Sequence, residues 1–355
     1  MANAEIRAEG VEATMDTGPN SADALEGLSD KPKTFGQLAW ERFLNHKLAL
    51  VGAVGLVLIV LSFFVGPMFS EFEVGETNIP DRKQGPSSTH PFGTDELGRD
   101  IFVRVAAGGR YSMLIGLSGA LAATFLGTIL GAVAGYFGKM VDNVVSQMIN
   151  LVLIVPGIII LSMFALRFGS ADGVVVPGTE VRFGGTWTSL GLVLAALGWT
   201  RIARVVRGVI LQIKEQEYIM AARAAGASHG RIIFRHLLPN VLGAVAVEIT
   251  LLVGSIIVLE STLSFLGLGV KPPDTSLGAL VADAKGDIDS EPLRVLMPGI
   301  WIVLIVLCVN FLGDGLRDAL DPRSKVEGSG DDKKARKTAE KAAKKAAKRQ
   351  ARAGL

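Results

Sequence analysis

The chain has 355 residues, 49% of them hydrophobic and only 20% charged, with 42 glycines and a mean hydropathy of +0.42, which marks a membrane protein and excludes an ordinary water-soluble domain. A formal net charge of +2 hides the crowding of Lys and Arg between and after the apolar runs, so whole-chain charge says little about partners. The single cysteine, Cys308, excludes a disulfide framework.

Residues 1–33 are polar, acidic in their first part and lack an apolar h-region, so they read as a disordered cytoplasmic leader and not as a signal peptide. In 34–47, Phe35, Leu38, Trp40, Phe43 and Leu44 alternate with Arg42 and Lys47, the pattern of an amphipathic helix lying in the membrane interface. A spanning helix needs roughly 20 apolar residues. Six segments qualify: 48–69, 113–137, 144–166, 187–209, 239–265 and 295–316. The fourth loses its apolar character at Thr200 and continues into arginines. Gly127, Gly131, Gly191, Gly198 and Gly254 allow close helix approach, and Pro156 predicts a kink in the third span. The expected fold is all-α: six transmembrane helices with a 70–112 extracytoplasmic segment, a 113–316 core and a basic 317–355 tail suited to solvent or to anionic headgroups.

Orientation follows from the basic residues near the span ends. The segment from Arg201 to His236 carries Arg201, Arg204, Arg207, Lys214, Arg223, Arg231 and Arg235 against only Glu215 and Glu217, so this loop and both termini are expected in the cytoplasm. Within it, Gly226 stands where a helix stop requires positive φ, Ser228 is placed to cap a second short helix, and Pro239 opens the fifth span at a first-turn position. The sequence predicts a helix over 213–225, a turn, and a second helix through Arg235. Alanines at 221, 222, 224, 225 and 227 make the first helix slim enough for another protein's groove.

No G-x-x-x-x-G-K-[ST] stretch occurs, so the chain has no phosphate cradle of its own. Arg201, Arg204 and Arg207 share one helix face and are expected to meet lipid phosphates or a partner's carboxylates. Glu248 and Glu260 are ionisable groups inside the fifth span and therefore pathway or helix-contact candidates. Twelve residues apart, they do not share a face. Asp95 and Asp100, near His90, lack a second close His or Cys, so no metal site is expected.

"AARAAGAS" followed by "LLP" resembles the coupling loop of ATP-binding-cassette importer permeases, with Ala221, Ala222, Gly226, Leu238 and Pro239 at the family spacing. The sequence departs from the pattern at Met220, where the family has Glu, and at His236, where it has an apolar residue. "HPFGTDELGRDIFVRVAAGGRYS", "LESTLSFLGLGVKPP" and "NFLGDGLRDALDPR" are similar to further signatures of the oligopeptide and dipeptide branch. A related branch imports nickel or its chelates. The resemblance implies one permease half of a peptide importer, paired with a second homologous permease, two ABC ATPases and an extracytoplasmic binding protein in a bacterial plasma membrane. It implies no cofactor on this chain, ATP and Mg being held by the ATPases, and no nucleic-acid partner. It assigns ATPase contact to Glu217, Met220, Ala221, Ala222, Arg223, Gly226, Ala227, Ser228 and Pro239, and binding-protein docking to Asp95, Gly98, Arg99 and Asp100. An ion-coupled transporter and a membrane-anchored scaffold are the alternatives; the coupling-loop pattern opposes the first and the outer signatures the second.

Overall fold

The computed structural model describes residues 34–168, 174–175, 182–183, 186–272 and 274–321. The leader and the tail beyond Asp321 lie outside these described residues. Helix α1 (Phe35–Asn45) opens on a capping box in which the Gln37 side chain accepts from the Thr34 N–H. His46 breaks the helix in extended conformation and its Nδ1 accepts from the Ala49 N–H at 3.1 Å, capping α2 (Lys47–Val65).

Helix α3 (Ile101–Phe137) runs 37 residues without interruption, about 55 Å, from an Asp100 cap. Residues 101–112, expected in the extracytoplasmic segment, are therefore the first three turns of the second span itself. Gly108 and Gly109 do not break it, because they are buried where the backbone of Ser276 and the ring of Phe63 press against the helix. After α4 (Lys139–Ile154) the chain turns by 87° into α5 (Gly157–Phe168). The kink expected at Pro156 is thus a full break: Pro156 offers no N–H, and Val155 before it is forced into extended backbone at φ −83°, ψ 133°. The strands β1 (Val174–Val175) and β2 (Arg182–Phe183) pair antiparallel.

Helix α6 (Thr186–Ile213) is continuous through its arginines and so extends past the expected end at 209. Then come α7 (Glu217–Ala224), α8 (His229–Ile232), α9 (Leu238–Phe265), α10 (Leu277–Ala284) and α11 (Pro292–Leu320). Among the described residues five helical stretches are long and apolar enough to cross a membrane, and the bent α4–α5 pair, taken as one broken span, brings the number to six.

The bundle is organised on α3 against α6. Gly127, Gly131 and Gly135 form a stripe four residues apart, and a Cβ on any of them would come within 3 Å of Ile202, Val206 or Ile210 or their neighbouring backbone. Small residues here let the two helices touch where lipid offers no hydrophobic drive for association. The pairing of 127 with 202, 131 with 206 and 135 with 210 shows that α3 and α6 run parallel. Around this seam pack Ile115, Leu194, Leu237, Val241 and Ile256, while a second core joins Ile59, Phe63, Leu280 and Ile305 of α2, α10 and α11.

Ion pairs gather the two ends. At one, Lys83 meets Asp287 at 3.2 Å, binding the 70–100 segment to the turn after α10, and Arg104 of α3 meets Asp283 of α10 at 3.2 Å. At the other, His46 meets Asp318 at 3.3 Å and Arg42 donates to the Asp321 carbonyl at 3.2 Å. The 214–237 loop lies at this second end.

Candidate functional site

Helix α7 ends as the sequence predicts. Gly226 adopts φ +79°, the Gly226 N–H donates to the Arg223 carbonyl at 3.0 Å, and the Ala227 N–H reaches back to Ala222 at 3.1 Å. Those two bonds are the paired closure of a helix C-terminus that needs a left-handed residue between them. Ser228 then caps α8, its Oγ accepting from the Arg231 N–H at 3.4 Å. The helix expected over 213–225 proves to be two: α6 runs to Ile213, and α7 starts at Glu217 after a turn in which the Gln216 N–H donates to Ile213.

The second helix does not stop at Arg235. It widens into a π-turn over Ile233–Leu237 and runs directly into α9. Pro239 explains the widening, since its ring would collide with the carbonyl four residues earlier in a regular α-turn. Helix α8 and the fifth span are therefore one near-continuous piece.

Ile219 fixes which way α7 faces. It is wholly buried, within the core cluster that also holds Ile232 and Leu237, so Glu217, Tyr218, Met220, Ala221 and Arg223 point outward. Ala222 and Ala227 are half-buried, and Gly226, Ser228 and Pro239 are exposed. Phe234, on the π-turn, is 73% exposed and enlarges the apolar part of this surface. Beneath it, Tyr136 in the last turn of α3 places its Oη 2.7 Å from His229 Nδ1, with the Arg223 guanidinium 5.7 Å over its ring. Asn240 donates to Tyr218 Oη at 3.4 Å and to the His236 carbonyl at 2.6 Å. His236, the departure from the family pattern, thus has its carbonyl tied to α9.

The sequence reading missed Ile219 and Tyr136. A tyrosine closing an apolar span just before Gly138 was the available signal for the second. Two of the three arginines expected to meet lipid phosphates or a partner's carboxylates find carboxylates within the chain. Arg201 donates through Nε to Glu248 at 2.7 Å, and Arg207 grips Asp142 with both Nε and Nη2, the latter at 2.9 Å. Arg204 remains exposed.

At the opposite end, Asp95 is an internal post. It accepts from the Leu97 and Arg99 backbone N–H groups at 2.8 and 3.0 Å, from Arg99 Nε at 2.7 Å and from Arg104 Nη1 at 2.5 Å. Burial alone would push its carboxyl up, but the Arg99 N–H and the Arg104 guanidinium hold it below the usual carboxylate range. Asp100 is buried as the α3 cap and bonds His90 at 2.8 Å, and Gly98 takes φ +75° in the turn between them. Of the four expected docking residues only Arg99 is partly exposed, and the exposed surface of this turn is Pro91, Glu96 and Leu97.

Glu260 is fully buried, accepting from Ser264 Oγ at 2.6 Å and Ser112 Oγ at 3.2 Å; Ser264 in turn meets Ser276, the cap of α10. It joins α9, α3 and α10 and has no surface open to a ligand.

A family profile described as binding-protein-dependent transport system inner membrane component matches residues 127–326, and one described as the N-terminal TM domain of oligopeptide transport permease C matches residues 34–86. The chain is 37% identical over 304 residues to the oligopeptide transport system permease protein OppC of Bacillus subtilis, covering 86% of this chain and 94% of that one. It is 36% identical over 324 residues to the dipeptide transport system permease protein DppC of Alkalihalophilus pseudofirmus, covering 90% and 100%. The Escherichia coli K12 oligopeptide permease OppC is 37% identical over 314 residues, covering 86% and 98%.

Proposed function

The chain belongs to the binding-protein-dependent transport system inner membrane component family, and from that premise we propose that it is the permease subunit of an ATP-driven importer of di- or oligopeptides. Relatives named for oligopeptide and dipeptide transport over nearly their whole length support the cargo. One homologous permease completes the membrane pathway, two ATPase subunits sit on the 214–237 end, and an extracytoplasmic binding protein delivers peptide to the 70–100 end. Both termini are then cytoplasmic, as the basic loop requires.

The observation that carries the coupling role is the setting of α7. Ile219 pins it to the bundle while Glu217, Met220, Ala221 and Arg223 are offered to a cleft, and beyond the hydrogen-bonded Gly226 turn α8 runs through the π-turn into α9. Closure of a nucleotide-bound ATPase pair displaces such a helix as a rigid body, and its displacement passes through the Gly226 turn and α8 to the fifth span. Met220 offers the cleft an apolar side chain where the family pattern has a carboxylate. Glu96, Leu97 and Arg99 supply the exposed part of the docking turn, which buried Asp95, Gly98 and Asp100 hold in shape.

Co-expression with candidate ATPase, second permease and binding-protein subunits tests the reading. A complex should purify whole, hydrolyse ATP faster with peptide-loaded binding protein, and accumulate peptide in proteoliposomes. A chain that purifies free of any ATPase would overturn it.

A further inference from the structure

We propose that Arg201 and Glu248 line the transport path and take the charged termini of a peptide in transit; the inference rests on the peptide cargo proposed above. Arg201 stands 15 residues after the start of α6 and 12 before its end, about 22 and 18 Å from them, near the middle of a helix long enough to cross the bilayer. Its Nε holds Glu248 at 2.7 Å, yet 48% of the arginine side chain is exposed while the glutamate is 12% exposed. A guanidinium half-exposed at that depth is too costly to leave in hydrocarbon, so it faces an aqueous cavity.

Such a cavity adjoins the pair on its Glu248 side. It measures about 780 Å³ and lies between α6, α9 and α11, lined by Val205, Val209, Asn240, Ala244, Glu248 and Arg317. The volume is within the roughly 300–1,000 Å³ that small-molecule sites occupy. Most of its wall is small or apolar, which suits varied side chains, and the fixed charges are confined to a few points. A zwitterion presents one carboxylate and one ammonium, and the guanidinium and carboxylate of this pair can exchange their mutual bond for those two. Glu260 offers no comparable arrangement, since serines enclose it.

The test uses the assembled transporter in proteoliposomes, in a Cys308→Ala background. Gly243→Cys puts a thiol on the cavity wall, where an added Cβ meets no atom within 4 Å. It should react with a charged aqueous methanethiosulfonate reagent, and trialanine with its binding protein should slow that reaction; Phe125→Cys, on an exposed apolar face of α3, should stay unreactive. Arg201→Gln and Glu248→Gln should each cut trialanine uptake roughly tenfold, the worth of one charge-assisted hydrogen bond, with Gly243→Cys reactivity retained. If either variant fails to assemble, protection of Gly243→Cys by trialanine decides alone. An unreactive Gly243→Cys, reactivity indifferent to trialanine, or full uptake in both charge variants overturns the proposal. A wild-type complex that takes up no trialanine while Gly243→Cys reacts overturns the peptide cargo and leaves the aqueous path standing.

Discussion

Tyr136 Oη lies 2.7 Å from His229 Nδ1, so the last turn of α3 is bonded directly to the first residue of the helix that follows the coupling turn. Tyr136 is buried, and with the Arg223 guanidinium over its ring it contacts both short helices of the loop. One neutral hydrogen bond contributes about 1 kcal/mol, enough to shift a two-state loop by roughly fivefold. Tyr136→Phe should therefore lower binding-protein-stimulated ATP hydrolysis severalfold while the complex still purifies intact. His229→Ala should do the same, and the double variant should be no worse than the more severe single one, because both remove the same bond. Additive losses would show that the two residues act separately.

Gly226 permits a sharper comparison. No atom lies within 4 Å of the position its Cβ would take, so a side chain there meets space and only the backbone resists it. At φ +79° a β-branched residue is strained by about 1 to 3 kcal/mol, whereas Asn tolerates this region. Gly226→Val should abolish most peptide uptake with insertion and assembly preserved, and Gly226→Asn should retain most of it. Equal loss in both would point to a steric contact with the ATPase instead of the turn.

What the sequence made legible is what is written locally. The stop at Gly226, the cap at Ser228, the first-turn Pro239 and the small-residue seam at Gly127 and Gly131 each follow from a residue's own backbone or size. Contacts made across the chain were not legible. Arg201 finds Glu248 from 47 residues away and Arg104 finds Asp283 from 179, and helical periodicity gives the face a residue occupies without naming its neighbour. The docking turn shows the same limit: its charged pattern reads as surface, yet Asp95 and Asp100 are spent on internal bonds. At Pro156 the pattern located the interruption, but whether a span bends or breaks depends on what packs on either side.

Asp95 carries a pH dependence with a definite sign. Its carboxyl is held below the ordinary carboxylate range, so the stabilisation is fully present above the unfolded value near pH 4 and is lost as the pH falls through the lower folded value. Detergent-solubilised complex should melt at a constant temperature from pH 7 to about 5 and at falling temperatures below about 4. Asp95→Asn removes the anion between Arg99 and Arg104 and leaves the buried Arg104 guanidinium with Asp283 as its remaining carboxylate, a loss of about 1.5 to 3 kcal/mol. The variant should melt lower at pH 7 and show a weaker acid dependence. An acid profile identical to wild type would assign the titration to other carboxylates.

Topology is the premise on which the coupling and docking roles stand, and the packing of α3 on α6 constrains it. The two helices run parallel, both from the 70–100 end to the 214–237 end, so the chain between them must return across the full thickness of the bundle. The α4–α5 pair does this despite its 87° break. Helix α6, whose apolar part ends at Thr200, is still 28 residues and about 42 Å long, and Glu248 and Asp142 neutralise two of its three arginines. It therefore qualifies as a crossing. Single cysteines in a Cys308→Ala background should then separate cleanly on intact cells: Ser87→Cys and Asp289→Cys, both at exposed positions of the first end, should react with a membrane-impermeant thiol reagent. Ala225→Cys and Gly230→Cys, exposed beside the coupling turn, should react only after permeabilisation. Asp283 is unsuitable as a reporter because it bonds Arg104, and its loss would disturb the end being mapped. Labelling of Gly230→Cys from outside would put the coupling helix beyond the reach of any cytoplasmic ATPase, and the proposed function would fall with it.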